Sequence, residues 1–152
     1  MERAHRSGAD RCLRTAPTSR QSHQPACGMI LDSDVLIEVL RGNAQTARWV
    51  AAEASTGEAL RYSPVSRAEI GAGMRAGEEM GIAALFAGLD AITIDATTGE
   101  LAGERLKRYR RSHALELGDA LIGASAAQYG ERLATFNRRH YPGIAQLSSP
   151  DR

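Results

Sequence analysis

The chain predicts an α/β fold with a mostly parallel central sheet, and three observations carry that expectation. From Met29 onward, short apolar runs of strand type alternate with longer segments of helical periodicity, which is the pattern of βαβ units joined by right-handed crossovers. Four polar residues, Asp32, Glu69, Asp119 and Asn137, fall at or just past successive strand-to-helix junctions, and in open parallel sheets the ligand crevice lies beyond the carboxyl ends of the strands. The segment 120–129 is apolar or small almost all round, as expected of a helix buried against such a sheet.

The elements follow in order. Residues 29–31 form the first strand run, and 35–40 a helix closed by Gly42, a usual residue just past a helix end. A second helix covers 43–55, where Ala47, Val50, Ala51 and Ala54 make the apolar stripe of a 3.6-residue period and Gly57 stops it. Residues 60–63 are the second strand. Ser63-Pro64 then starts a helix carrying Glu69 about one turn in, because proline suits the first helical position. A helix over 78–89, a strand over 91–94, a long helix over 97–111 and the small-residue helix over 119–129 come next. The fourth strand is expected at 133–135 and a terminal one near 144–147, with no internal repeat and no second domain.

Composition separates the chain into two parts. Residues 1–28 carry five Arg against Glu2 and Asp10 and only one large aliphatic side chain, Leu13; such a segment cannot bury enough surface to offset its ordering entropy. It is expected to be a disordered extension, with Met29 as the start of the domain proper, 29–152. From Met29 onward 14 basic residues face 16 acidic ones, so the domain is mildly acidic although the formal charge of the whole chain is +1. Both cysteines, Cys12 and Cys27, lie in the extension, which leaves the domain without a disulfide framework or a thiolate metal site. The longest apolar candidate, 82–94, is short and interrupted by Asp90, so a membrane span is excluded and a soluble, cytoplasmic protein is expected.

The residue types define a chemistry. Mg²⁺ prefers oxygen ligands, keeps several waters and is usually held by one or two carboxylates plus substrate phosphate. Asp32, Glu69 and Asp119 supply such a cradle. Crowded carboxylates repel one another until a cation neutralises them, and a bound ion then activates water for attack on a phosphate. Taken singly, helix capping is the plainer account of Asp34 or Asp119. Asp32 and Asp34, two residues apart, lean to one side if the backbone stays extended. Asp34 and Asn137 suit an outer-shell role, and Thr135 suits either a carboxylate or phosphate contact or an ordinary strand position.

Other groups carry less weight. The run Arg105, Lys107, Arg108, Arg110 and Arg111 reads as the solvated side of a helix whose apolar stripe is Ala102, Leu106, Tyr109 and His113. Arg138 and Arg139 stand beside Asn137, where they would meet a substrate. A lone His140 without a second histidine at ligand spacing reads as structural. Trp49 suits core, dimer contact or a partner's groove alike, and Gly71-Ala72-Gly73 lacks the rest of a phosphate loop.

Over residues 29–141 the chain resembles PIN-domain proteins of the VapC toxin type. Asp32-Ser33-Asp34-Val35-Leu36-Ile37 matches the D-x-D strand end and following helix of that family, and Glu69 its helical glutamate. Asp119-Ala120-Leu121-Ile122-Gly123-Ala124 matches its D-A-L-I-A-A element, and Thr135-Phe136-Asn137 with Arg139-His140-Tyr141 its closing T-x-N and R-H-F elements. The resemblance implies a three-layer α/β/α fold and a Mg²⁺- or Mn²⁺-dependent ribonuclease acting on tRNA or rRNA. It also implies a toxin, commonly a homodimer, silenced by a VapB-type antitoxin lying across the acidic pocket. In it Asp32, Glu69, Asp119 and Asn137 are the catalytic set and the three acids the metal ligands. Many relatives carry an acid where this chain has Asn137, which touches the second metal position. Two rivals remain. A haloacid-dehalogenase-like phosphatase would explain Asp32-x-Asp34, but the threonine and later aspartate of that pattern are Leu36 and Gly123 here. A PIN-fold RNA- or protein-binding module with weakened catalysis is supported by Asn137.

Overall fold

The computed structural model of the protein describes residues 28–150. The extension expected at 1–28, with Cys12 and Cys27, lies outside the described residues except for Gly28, which already belongs to the first strand. Strands β1 (Gly28–Leu31), β2 (Ala59–Tyr62), β3 (Asp90–Ala91), β4 (Arg132–Ala134) and β5 (Leu147–Ser148) form one sheet in the order β3-β2-β1-β4-β5, every pairing parallel. Helices α1 (Ser33–Leu40) and α2 (Ala44–Ala54) join β1 to β2, α3 (Pro64–Ala72) and α4 (Glu79–Ala87) join β2 to β3, and α5 (Ala96–His113) and α6 (Leu117–Tyr129) join β3 to β4.

The side-chain alternation of β1 decides the layers. Met29 and Leu31 point into a core with Val35 and Leu36 of α1, Ile70 of α3, and Ile82 and Phe86 of α4. Ile30 points the other way, onto Ile122 and Ala126 of α6, as the two-residue period of a strand requires. All four residues of β1 are buried, so it is the central strand of a three-layer α/β/α sandwich. Small residues along α6 bring α5 close, and Ala102, Leu115, Ala120 and Ala124 fill the seam between the two helices. Trp49 is half-buried and packs against the first core.

Element ends differ from expectation in ways that matter. The first helix begins at Ser33 rather than 35, so Asp32, not Asp34, is its N-cap and accepts a hydrogen bond from Ser33 N. The sixth begins at Leu117, which puts Asp119 inside its first turn and not at the cap. The third strand is only Asp90–Ala91 and the last is Leu147–Ser148, because edge strands here pair on one side over two residues. The start of α5 is fixed by a capping box between Asp95 and Thr98, and Gln128 of α6 bonds both residues. Among the described residues no helix is long and apolar enough to cross a membrane.

The end of α5 stores strain. Ala114 closes it in the left-handed region at φ 51°, ψ 38°, a conformation that places Cβ against the following carbonyl and favours glycine. Ala114→Gly is therefore expected to raise stability by about 0.5–1 kcal/mol, measured by urea denaturation; a loss of stability would show that the turn is not strained.

Candidate active site

The sheet order reverses beside β1: the chain builds outward through β2 and β3, then returns to place β4 on the other side. Loops leaving β1 and β4 diverge at such a point and open a crevice at the carboxyl edge. Asp32 sits there, immediately after β1, with its N–H bonded to Ala134 O of β4 at 2.9 Å. Thr135 stands directly across, just after β4.

Asp32 is 6% exposed, so its carboxylate must be satisfied by protein groups. Its Oδ1 accepts from Ser33 N at 2.7 Å, and its Oδ2 from Thr135 Oγ1 at 2.9 Å and Tyr141 OH at 2.8 Å. Asp34 Oδ2 accepts from Phe136 N at 2.9 Å and Asn137 N at 3.1 Å and lies 3.2 Å from the same Thr135 hydroxyl. Thr135 has one proton for two carboxylates, and the shorter contact goes to Asp32. Burial, and then the charge of Asp34, push the Asp32 carboxyl up to about 7 despite these bonds. Burial also raises Asp34. The two acids thus meet through a threonine, not through the extended backbone expected from their spacing.

Glu69 projects from α3, whose start is set by the Ser63 cap and Pro64. Its Oε2 accepts the hydroxyl of Ser33, the residue between the two aspartates. A Cβ on Gly118 would stand 2.8 Å from Glu69 Oε1, so the glycine before Asp119 is the room in which that carboxylate lies. Asp119 is half-buried on α6 and its Oδ2 is 2.9 Å from His140 Nδ1. Burial raises the Asp119 carboxyl, and His140 opposes that shift. Asn137 is exposed, and its side-chain amide nitrogen is placed 3.0 Å from the same His140 Nδ1. One ring nitrogen cannot donate to Asp119 and accept from Asn137 together; a proton donated to Asp119 turns the amide oxygen of Asn137 toward the ring.

The expected residues therefore fall into one connected network but not into one shell. Among the described residues no three Asp, Glu, His or Cys side chains group closely enough to enclose a metal ion. Asp32 and Asp34 share Thr135, Glu69 is tied to Ser33, and Asp119 is tied to His140, the neighbour of the tyrosine that donates to Asp32. Asn137 contributes its backbone N–H to Asp34 and its side chain to His140. His140, which as a lone histidine reads as structural more often than catalytic, belongs to this network. Ser33, Gly118 and Tyr141 do not stand out in the sequence as individual site residues; a hydroxyl between two acids and a glycine before a third are the signals that mark the first two. Arg105, expected on the solvated side of α5, is half-buried and donates to Pro142 O at 2.8 Å. Lys107, Arg108, Arg110 and Arg111 are exposed as expected.

A five-stranded parallel sheet with an acidic network at its switch point is the architecture of a PIN domain, and residues 29–143 match that family. The chain belongs to the PIN-domain family, in its VapC-type branch. It is 38% identical over 123 residues to Ribonuclease VapC10 of Mycobacterium tuberculosis, covering 80% of this chain and 92% of the relative. It is 30% identical over 122 residues to Ribonuclease VapC19 of the same organism, covering 80% and 98%. Among solved structures it shares its fold with VapBC2 from Rickettsia felis bound to a DNA fragment from their promoter, at a TM-score of 0.67 and 17% identity, over 81% of this chain and 98% of that one.

The buried acids make stability depend on pH. Asp32 titrates near 7 in the folded chain against 3.8 for an ordinary aspartate, so protonation favours the folded state: the stability linked to this group is complete below about pH 4 and is lost as pH rises through 7. Asp34 and Asp119 shift in the same direction. In EDTA, chemical denaturation from pH 5 to 8.5 should show falling stability, and Asp32→Asn should flatten that fall. A wild-type profile that rises with pH over this range would contradict the assignment.

Proposed function

We propose that the protein is a metal-dependent endoribonuclease, the toxin of a toxin–antitoxin pair, hydrolysing phosphodiester bonds of tRNA or rRNA. The observation that carries this reading is the Asp32–Asp34 pair, one buried and the other half-buried, in which every hydrogen-bond donor is a neutral group. Acids desolvated without a cation call for one from outside. The donor set is all oxygen, which suits a hard ion, and Asp34 Oδ1 is buried without a hydrogen-bond partner. The spread of the acids suits Mg²⁺ or Mn²⁺ keeping several of its waters.

Asp32, Glu69 and Asp119 would hold the ion. When bound, it would lower the pKa of a water and offset charge on the leaving oxygen. The chain's own residues set the geometry: Ser33 N and Thr135 aim Asp32, Ser33 Oγ holds Glu69, and His140 holds Asp119. Asp34 ties the loop after β4 to the head of α1 through the backbone of Phe136 and Asn137. Asn137 supports His140 and so acts on Asp119 at one remove.

A VapB-type antitoxin is the partner in the same reading. A cleft of about 390 Å³ between α1, α3 and α4, with Ile37, Leu40, Ile70 and Ile82 on its walls, opens beside Glu69. An apolar partner segment seated there could bring a cationic side chain to the acids and substitute for the metal charge. A homodimer also belongs to this reading, with Leu117 exposed at the head of α6 for a second copy to cover.

Purified protein should cleave structured RNA in Mg²⁺ or Mn²⁺ and not in EDTA. Asp32→Asn, Glu69→Gln and Asp119→Asn should each abolish cleavage with the fold retained, and Asn137→Ala should be milder. Gly118→Ala should lower cleavage by displacing Glu69, whose Oε1 would stand 2.8 Å from the added Cβ, with Val65 Cγ1 crowded at 3.3 Å. Cleavage persisting in EDTA or in Asp119→Asn would sink the mechanism, and hydrolysis of small phosphate esters would favour a phosphatase.

The nuclease unit in this reading is residues 29–152. A chain begun at Met29 should keep its thermal midpoint and its cleavage activity; unfolding on removal of the preceding segment would move the boundary.

A further inference from the structure

We infer that Tyr141 is a positioning residue for the metal site, seated by Arg105 of α5 in a slot that Gly123 leaves open on α6. The inference rests on the metal-dependent reading above and extends it to residues outside the acidic set.

Tyr141 is 1% exposed, and its ring packs with Ile30, Ile122 and Leu133 on the α6 side of the sheet. From that core its hydroxyl reaches Asp32 Oδ2 at 2.8 Å, across 109 positions of sequence. The bond reaches the same oxygen as Thr135, while Ser33 N takes Oδ1. Three donors from three chain segments thus fix the carboxylate plane. Tyr141 acts as a donor: its phenol O–H is directed at a carboxylate oxygen, which accepts.

Its own placement depends on α5 and α6. The guanidinium of Arg105 donates to Pro142 O at 2.8 Å, anchoring the residue after the tyrosine. A Cβ on Gly123 would stand 3.1 Å from Arg105 Nε and 3.3 Å from Tyr141 Cδ1, so both side chains cross α6 where it has no side chain. An arginine drawn half out of water, with a buried Nε that has no hydrogen-bond partner, is costly to keep there for packing alone. Through its contact with the backbone beside Tyr141, Arg105 sets how far the phenol extends toward Asp32.

A merely structural tyrosine and a positioning one differ in what loss of the hydroxyl changes. Tyr141→Phe conserves the ring and its packing. Mn²⁺ and Mg²⁺ binding would be measured by titration calorimetry on the full chain, beside thermal melts and RNA cleavage. Tyr141→Phe is expected to weaken metal binding by about 10-fold or more, as loss of groups that orient metal ligands does, and to raise the metal concentration for half-maximal cleavage in step, with KM for RNA unchanged. Gly123→Ala and Arg105→Met should weaken metal binding in the same direction. Tyr129→Phe, which removes a 2.6 Å bond to Thr93 O on another part of α6, should leave it unchanged. Folded Tyr141→Phe with wild-type metal affinity would overturn the inference; if that variant does not fold, wild-type affinity in both Gly123→Ala and Arg105→Met would do the same. A wild-type chain that binds no divalent ion would overturn both this inference and the metal-dependent reading. One that binds the ion but cuts no RNA would remove only the proposed activity, and the calorimetry would still decide the role of Tyr141.

Discussion

The structure turns on a carboxylate that the fold buries and does not neutralise. Asp32 follows the central strand, where its backbone N–H completes the ladder to β4 and its side chain caps α1. Both local roles hold it in place irrespective of its charge. Because β1 is buried on both faces, the residue after it emerges into low dielectric, and its ionised form is disfavoured. Thr135, Tyr141, Asp34 and the loop after β4 are arranged around that one group.

Loop 135–137 shows how one acid can serve as a joint. Asp34 Oδ2 accepts two consecutive backbone N–H groups, from Phe136 and Asn137, and so binds the end of β4 to the first turn of α1. Its second oxygen is left buried without a partner. A side chain that locks two loops together with one oxygen and keeps the other free is suited to an outer position, close enough to raise Asp32 but committed to the backbone. The glycines of α6 act in the complementary way. Gly118 admits Glu69 from α3, and Gly123 admits Arg105 and Tyr141, so one buried helix passes groups from both of its sides toward the crevice.

Much of this was legible in the sequence because it is local. The first, second and fourth strand runs, the Ser63-Pro64 helix start and the body of the small-residue helix depend on neighbours within a few positions and appear close to where periodicity places them, whereas the short edge strands β3 and β5 and the starts of α1 and α6 are shifted. Asp32, Glu69 and Asp119 were legible by type and position at strand-to-helix junctions. The contacts among them were not. The Thr135–Asp32 and Tyr141–Asp32 bonds span 103 and 109 positions, and no periodicity carries information over that distance. Arg105 was misplaced for the same reason: its helical phase puts it near the charged side of α5, but α6 opposes it with glycine, and the resulting slot takes a long side chain inward. The His140–Asp119 contact is likewise invisible in the sequence, because the two residues lie on different elements.

The choice of donors around Asp32 and Asp34 has an electrostatic logic. A lysine or arginine at Thr135 or Tyr141 would give a stronger, charge-assisted bond and would bring both carboxyls back toward their ordinary range. It would also leave no charge for a cation to complement. Hydroxyls and backbone N–H groups orient a carboxylate while leaving its charge uncompensated. The acid farther out is treated differently: Asp119, less deeply set, is met by the imidazole of His140 at 2.9 Å. Orientation by hydroxyls and backbone N–H groups at the centre, with the histidine contact kept to Asp119 farther out, yields a crevice whose central carboxyls are held in place by groups that carry no charge.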